Sequence, residues 1–270
     1  MMHQKKLFNK YLDLLGVEAS SPSFEFLCRI VRAHLLRIPF ENVSKLLYKK
    51  QGMDNIPGLP AYLNGIEKYN FGGTCYTNNY YLNLLLNNLG FDVKLCGADM
   101  KNPDVHIINV VTVEGREYII DGGYAAPFLE PLPRFLTGDY TLGLGPEKFI
   151  LKPQDKTGLS KLEHYYNGEF KHWYSAKPKP RTIEEFRGVI KDSYSDDAMF
   201  MNIFRITRFT ESGSLVLRNL QLTETTGSLT STIEVPRNDI PGIVETKFLI
   251  PAEVAEEALS TIKDLKNTFE

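Results

Sequence analysis

Apolar residues recur at helical spacing through roughly the first third of the chain and at a spacing of two through much of the next third. Residues 4–15 put Leu7, Phe8, Tyr11, Leu12 and Leu15 on one face and stop at Gly16, which predicts a helix. Leu27, Ile30, Val31, His34 and Leu35 trace a second buried face, with Ser21 as the predicted cap and Pro22 at the first helical position. Ile38-Pro39 ends that helix, because the residue before a proline is pushed out of the α region. Phe40-Glu41-Asn42 then reads as a turn into Val43–Leu47, residues 51–60 as loop, and Ala61–Lys68 as a short helix. In residues 71–90, Leu82, Leu85, Leu86 and Leu89 line a further helix that Gly90 terminates.

Past Gly90 the alternation predicts strands at Val93–Ala98, Val105–Val113 and Arg116–Asp121, the last two joined by Glu114-Gly115. Both faces of these strands are largely apolar, as in a buried sheet or barrel. Residues 122–160 are rich in glycine and proline and predict one short strand, Lys148–Leu151. Leu162–Tyr166 and Glu169–Tyr174 form a predicted hairpin across Asn167-Gly168, a dipeptide suited to a type I′ turn. Trp173 and its neighbours Tyr165, Tyr166 and Tyr174 are expected to fill the interior of that β layer, while His164 and His172 are expected at its surface or rim. Lys177-Pro-Lys-Pro180 reads as a linker, and Thr182 as the cap of a helix running to Ile190. A third unit follows, with predicted strands at Met199–Phe209, Leu215–Leu222 and Leu229–Val235. Its last helix starts at Pro251 and carries Val254, Ala258, Ile262 and Leu265. The reading is therefore helical over 1–90, all-β over 91–180 and α/β over 181–270.

Composition narrows the class. The 270 residues carry a formal net charge of −2, which offers no electrostatic case for nucleic acid or an anionic membrane surface. The N-terminal stretch lacks an apolar run of signal-peptide length, and no later run is long enough to span a bilayer. Three widely spaced cysteines without a Cys-x-x-Cys pair argue against a disulfide framework or a zinc site and for a reducing, cytoplasmic setting.

Candidate chemistry centres on Cys75. It follows Gly72-Gly73-Thr74 at the start of a predicted helix, where the macrodipole and unpaired N–H groups favour a thiolate and would hold an oxyanion. A cysteine nucleophile needs a base, and His106 opens the strand 105–113. If Glu114-Gly115 is a two-residue loop, Val113 faces Arg116 and Asp121 faces Ile108. Side chains alternate along a strand, so His106 then shares a face with Asp121, diagonally placed and within reach of its carboxylate. That pairing would orient the imidazole as in a triad. Spacing alone does not place Cys75 beside it.

These residues resemble the arylamine N-acetyltransferase family. The family motif Arg-Gly-Gly-x-Cys-x-Glu-x-Asn is matched by Phe71 through Asn79 at both glycines, the cysteine and the final asparagine, with Phe71 and Thr77 replacing the arginine and glutamate. His34 through Asn42 carries the signature His-x-x-x-Ile-Pro-Phe-Glu-Asn, and Asp121-Gly122-Gly123-Tyr124-Ala125 resembles the segment after the histidine strand. The resemblance implies an α+β multi-layer fold: an N-terminal helical bundle, a central antiparallel β-barrel and a C-terminal α/β lid around a cysteine-protease-like Cys-His-Asp core. It also implies a Cys75–His106–Asp121 triad that moves an acetyl group from acetyl-CoA to an arylamine, arylhydrazine or N-hydroxyarylamine by ping-pong turnover. Acetyl-CoA would serve as co-substrate with no tightly bound cofactor and no metal. Phe40 and Tyr124 are expected to bind substrate, with the loop 101–105 near the cleft. A cysteine hydrolase, transamidase or amide synthase using the same triad, and a non-catalytic binding protein, are the alternatives.

Overall fold

The helical spacing at the start of the chain folds into five helices, α1 (Met2–Leu15), α2 (Phe24–Arg37), α3 (Val43–Lys50), α4 (Leu59–Tyr69) and α5 (Cys75–Asn88). They are seen in a computed structural model that describes residues 2–265. Residue 1 and residues 266–270, the outer ends of the expected first and third units, lie outside the described residues. Among the described residues no helix is long and apolar enough to cross a membrane. The cap of α2 is Ser23 and not Ser21: Ser23 Oγ accepts the Phe26 N–H at 3.1 Å. A capping oxygen accepts from the second or third helical N–H, here the third, so the helix starts after Ser23 and Pro22 falls outside it. Phe40–Glu41, expected as a turn, is a two-residue strand, β1.

The period-two region builds an eight-stranded antiparallel sheet. Its strands are β2 (Asp92–Asp99), β3 (His106–Val113), β4 (Arg116–Ile120), β5 (Leu132–Pro133), β6 (Tyr140–Leu144), β7 (Glu147–Leu151), β8 (Ser160–Tyr166) and β9 (Glu169–Pro180), in the order β5-β4-β3-β2-β9-β8-β7-β6. Cys96, Ile108, Ile119, Phe149, Leu162 and Tyr174 come from strands across this order yet share one buried cluster, so the sheet curls round a common interior. The opposite face of β3, with Val111 and Val113, packs into the core of the helical layer. That double burial explains why the strands read apolar on both faces.

Two predicted turns stand as read. Glu114-Gly115 and Asn167-Gly168 both take left-handed conformations, at φ +51 and +72 and at φ +51 and +81. Four expectations are corrected. Lys177–Pro180 is the end of β9, paired with β2 through an irregularity between Cys96 and Ala98; prolines are tolerated in a strand where a bulge breaks the ladder. Short strands β5 and β6 occupy part of the stretch read as loop. The predicted strand 199–209 is a helical turn, α7 (Met199–Asn202), followed by β10 (Arg205–Thr210). The predicted strand 215–222 is two strands, β11 (Gly213–Arg218) and β12 (Gln221–Thr226), because Asn219 at φ +52 turns the chain while the apolar alternation runs on unbroken. Strand β13 (Leu229–Glu234) completes this second sheet.

A single helical turn, Ile183–Phe186, leads from β9 into α6 (Arg187–Asp192), and the Glu185 carboxylate accepts the Thr182 N–H at 2.8 Å, as a helix start at Thr182 requires. Helices α8 (Ile240–Ile243) and α9 (Ala252–Leu259) close the described chain, with Pro251 as the cap residue of α9. Strand β1 pairs with β10, Phe40 facing Thr207 and Glu41 facing Ile206. Val43, Leu46, Leu47 and Phe71 share one core with Phe204, Leu217 and Phe248. The lid is thus sewn to the segment that immediately flanks Gly72 and Gly73.

Candidate active site

Cys75 is the first residue of α5 and is 8% exposed. Thr74 holds the extended cap conformation, but its hydroxyl makes no capping bond. The N–H groups of Cys75, Tyr76 and Thr77 are the orphans of the helix start, and no backbone acceptor among the described residues takes them. They offer a ready oxyanion site beside the Cys75 thiol.

His106 opens β3 and Asp121 follows β4, both buried. The β3–β4 register pairs Val113 with Arg116 and Asn109 with Ile120, the pairing expected from a two-residue turn. One step further along puts Asp121 diagonal to His106, and His106 Nε2 meets Asp121 Oδ2 at 2.8 Å. Cys75 stands close enough to the same imidazole to act on its protonation. With Nε2 committed to the carboxylate, Nδ1 is the nitrogen left for the thiol. Burial pulls the imidazole pKa down, but the Asp121 carboxylate and then Cys75 outweigh it and raise it from 6.5 to about 10. The arrangement favours the imidazolium form of His106.

Asn79 welds these elements together. It lies one helical turn past Cys75, on the same face of α5. Its Nδ2 donates to the Ile107 carbonyl at 2.6 Å and to Asp121 Oδ1 at 2.8 Å, while its Oδ1 accepts the Gly122 N–H at 2.9 Å. Its own carbonyl accepts from Asn109 Nδ2 at 2.9 Å. Gly123 completes the fit, since a Cβ there would lie 2.6 Å from Cys75 Cα.

The loop ahead of Cys75 is held by Glu41. Its Oε1 accepts the Gly72 N–H at 3.1 Å and the Ser44 hydroxyl at 2.6 Å, its Oε2 accepts the Ser44 N–H at 2.8 Å, and its own N–H donates to the Gly73 carbonyl at 3.1 Å. Burial pushes this carboxyl up, and the donors hold it back. Gly72 is obligatory for a steric reason: a Cβ would run into the Pro39 carbonyl. Phe71, where the family motif has arginine, packs into the core shared with the lid, and Thr77 is buried against Gly73. Lys45 supplies a nearby cation. It is buried, donates to Ser193 Oγ at 2.6 Å and stands 4.0 Å over the Tyr194 ring. Burial lowers its pKa to about 8, with Cys75 acting the other way.

Of the expected substrate residues, Tyr124 sits with its ring 5.6 Å from that of His106, and its hydroxyl meets His172 Nδ1 at 3.0 Å. Phe40 is buried beside Phe200, ring centroids 5.6 Å apart, and is bridged to Gly73. The loop before His106 is pinned through Asp104, whose N–H bonds Asp99 Oδ1 at 2.9 Å and whose carboxylate meets Arg181 at 3.2 Å. Tyr76, next to Cys75, donates its hydroxyl to the Asp104 carbonyl at 3.3 Å. His34 is a core histidine, bonded to the Tyr11 hydroxyl at 3.3 Å and held down to about 3 by burial. Of the four aromatic residues expected inside the β layer, only Tyr174 joins its core. Trp173, one residue earlier, points the other way, under Lys161.

Asn79 and Glu41 fall within the matched motifs, but sequence reasoning gave neither of them a role. A further signal for Asn79 was the run of consecutive polar residues Thr77-Asn78-Asn79 ahead of the leucine stripe of the helix. Asn78 and Asn79 are fully buried, and buried amides at that position must be bonded to something. Asn79→Ala is expected to slow acyl transfer on the order of a hundredfold, since misplacing a reacting group by about an ångström has that effect. The check is single-turnover kinetics beside a melting curve; a rate within threefold of the parent, roughly, would remove Asn79 from the positioning frame.

Three comparisons bear on this geometry. A family model described as N-acetyltransferase matches residues 23–257. Arylamine N-acetyltransferase 1 of Homo sapiens is 26% identical over 204 residues, 66% of this chain and 69% of that protein. The pineal gland isozyme NAT-3 of Gallus gallus, an arylamine N-acetyltransferase, is 25% identical over 280 residues, covering 93% of this chain and 90% of its own. Among solved structures, the arylamine N-acetyltransferase from Mycobacterium abscessus superimposes with a TM-score of 0.80 at 18% identity, covering 96% of this chain and 97% of that one, which establishes the shared fold.

Proposed function

Because this chain belongs to the arylamine N-acetyltransferase family, an acetyl-CoA-dependent acyltransferase family, we propose that Cys75, His106 and Asp121 are its catalytic triad. The observation that carries the reading is His106, bonded at 2.8 Å to Asp121 and close enough to Cys75 for the thiol to act on its protonation. In the first half-reaction the Cys75 thiolate attacks the thioester carbonyl of acetyl-CoA. The new C–S bond forms, the bond to the CoA sulfur breaks, and the departing thiolate takes the proton from the His106 imidazolium. In the second half-reaction the amine nitrogen attacks the acetyl-enzyme and gives its proton to the now neutral His106. Collapse expels the Cys75 thiolate and restores the starting pair. The orphan N–H groups at the start of α5 would hold the oxyanion in both steps.

Phe40 and Tyr124 would line the acceptor site for an arylamine, arylhydrazine or N-hydroxyarylamine, flanking the Gly73 loop and His106 respectively. The three cysteines are free, which suits a reducing, cytoplasmic setting; the acceptor class would suit a role in handling foreign aromatic amines. Incubation with acetyl-CoA in the absence of acceptor is expected to add about 42 Da at Cys75, the mass of one acetyl group in a covalent intermediate. Peptide mapping checks the site. A folded protein that takes no adduct would refute acetyl-CoA as the donor.

A further inference from the structure

Arg205 of β10 stands where the lid meets the barrel, and its charge is poorly answered there. Its Nε is buried without a hydrogen-bond partner, and its guanidinium lies 5.5 Å from the Phe40 ring centroid. The β10–β11 register puts Arg218 directly opposite, a like-charge pair across neighbouring strands that works against the sheet. On the barrel side the groups that feel Arg205 are Tyr124, Glu147, His164 and His172. Both histidines are held neutral, each lowered to about 4 by burial first, so neither adds nor removes charge near neutral pH. Glu147 is the one carboxyl of this group, and burial pushes it toward its neutral form. No carboxylate lies within ion-pair distance of Arg205 among the described residues. A buried donor left unmade is costly unless something bound supplies the acceptor.

The flanking residues say where that acceptor would come from. Phe40 is bridged to Gly73, two residues before Cys75, and the Tyr124 ring contacts that of His106. We propose that Arg205 is a specificity-determining residue that receives an anionic group of a substrate lying in this cleft. A guanidinium fork matches a carboxylate or a phosphate oxygen pair. The aromatic rings beside it favour the carboxylate of an aromatic acid as the source, with a phosphate of the CoA donor as the other. The choice of substrates rests on the acetyl-transfer reading, but the test is read by binding alone.

Calorimetry would compare para-aminobenzoate with its methyl ester, and CoA separately, on the parent protein, Arg205→Met and Arg205→Lys, with circular dichroism confirming the fold of each. The parent is expected to hold the acid about tenfold or more tighter than the ester, Arg205→Met to abolish that preference, and Arg205→Lys to recover part of it. If the anion is a CoA phosphate, the acid and the ester bind the parent alike, and Arg205→Met instead weakens CoA by about tenfold or more. A variant that leaves both the acid-to-ester ratio and the CoA affinity within about twofold of the parent overturns the proposal. Failure of the acetyl-transfer reading would show separately, as a missing adduct at Cys75 with these binding ratios intact.

Discussion

Cys75→Ala protein exposed to acetyl-CoA is expected to keep its unmodified mass and to lose acetyl transfer by a factor on the order of 10⁴ or more. The size of the loss follows from the chemistry. Without the thiolate no covalent intermediate forms, and what remains is the proximity of two bound substrates and the field of the orphan N–H groups. The fold should hardly notice. Cys75 starts α5, alanine is the best helix former, and the site loses one sulfur beside Gly123 and His106. A melting curve close to the parent's would show that the lost activity is chemical. Retention of the adduct on Cys28 or Cys96, or transfer within about tenfold of the parent, would end the case for Cys75.

Asp121→Asn should cost nearly as much, on the order of 10⁴ in kcat, for a subtler reason. Oδ1 of Asp121 accepts from Asn79 Nδ2 and from the Gly123 N–H, so an asparagine there would keep its carbonyl oxygen on those donors. Its NH₂ would then face His106 Nε2, which must become an acceptor. The ring proton moves to Nδ1, and the imidazole can no longer take the proton of the thiol or the incoming amine. The stability profile supplies a second readout. A histidine whose folded pKa is raised, here from 6.5 to about 10, contributes stability that is fully present below 6.5 and lost as pH climbs through about 10. The parent melting temperature should fall across that window, and Asp121→Asn should flatten the fall. An unchanged slope would mean that Asp121 does not hold the imidazolium.

Part of this site was legible in the chain itself. The His106–Asp121 contact follows from a two-residue turn at Glu114-Gly115 and from the alternation of side chains, and the register in the structure agrees. The helix start at Cys75 was legible too, from two glycines ahead of it and an apolar stripe behind. Errors fell where a local pattern serves two conformations. Apolar alternation passes through the turn at Asn219 without a break, and Lys177–Pro180 has the composition of a linker although a bulge lets it finish β9. Ser21 and Ser23 are equally good caps by type, and only the position of the first orphan N–H chooses between them.

What the sequence determined by itself is therefore short in range: where helices and strands run, which turns reverse them, and that His106 and Asp121 share a strand face. Periodicity and turn stereochemistry act over a few residues, so they are written locally. Tertiary structure alone decided that Cys75 reaches this pair. It did so through the approach of Gly123 to the Cys75 backbone and the bonds of Asn79 to β3 and to the Asp121 loop. It alone also sewed β1 to β10, clamped Gly72 with Glu41, and left Arg205 Nε buried beside Phe40 without a partner. These are contacts between layers, set by how whole elements pack, and neither spacing nor propensity along the chain carries a distance across them.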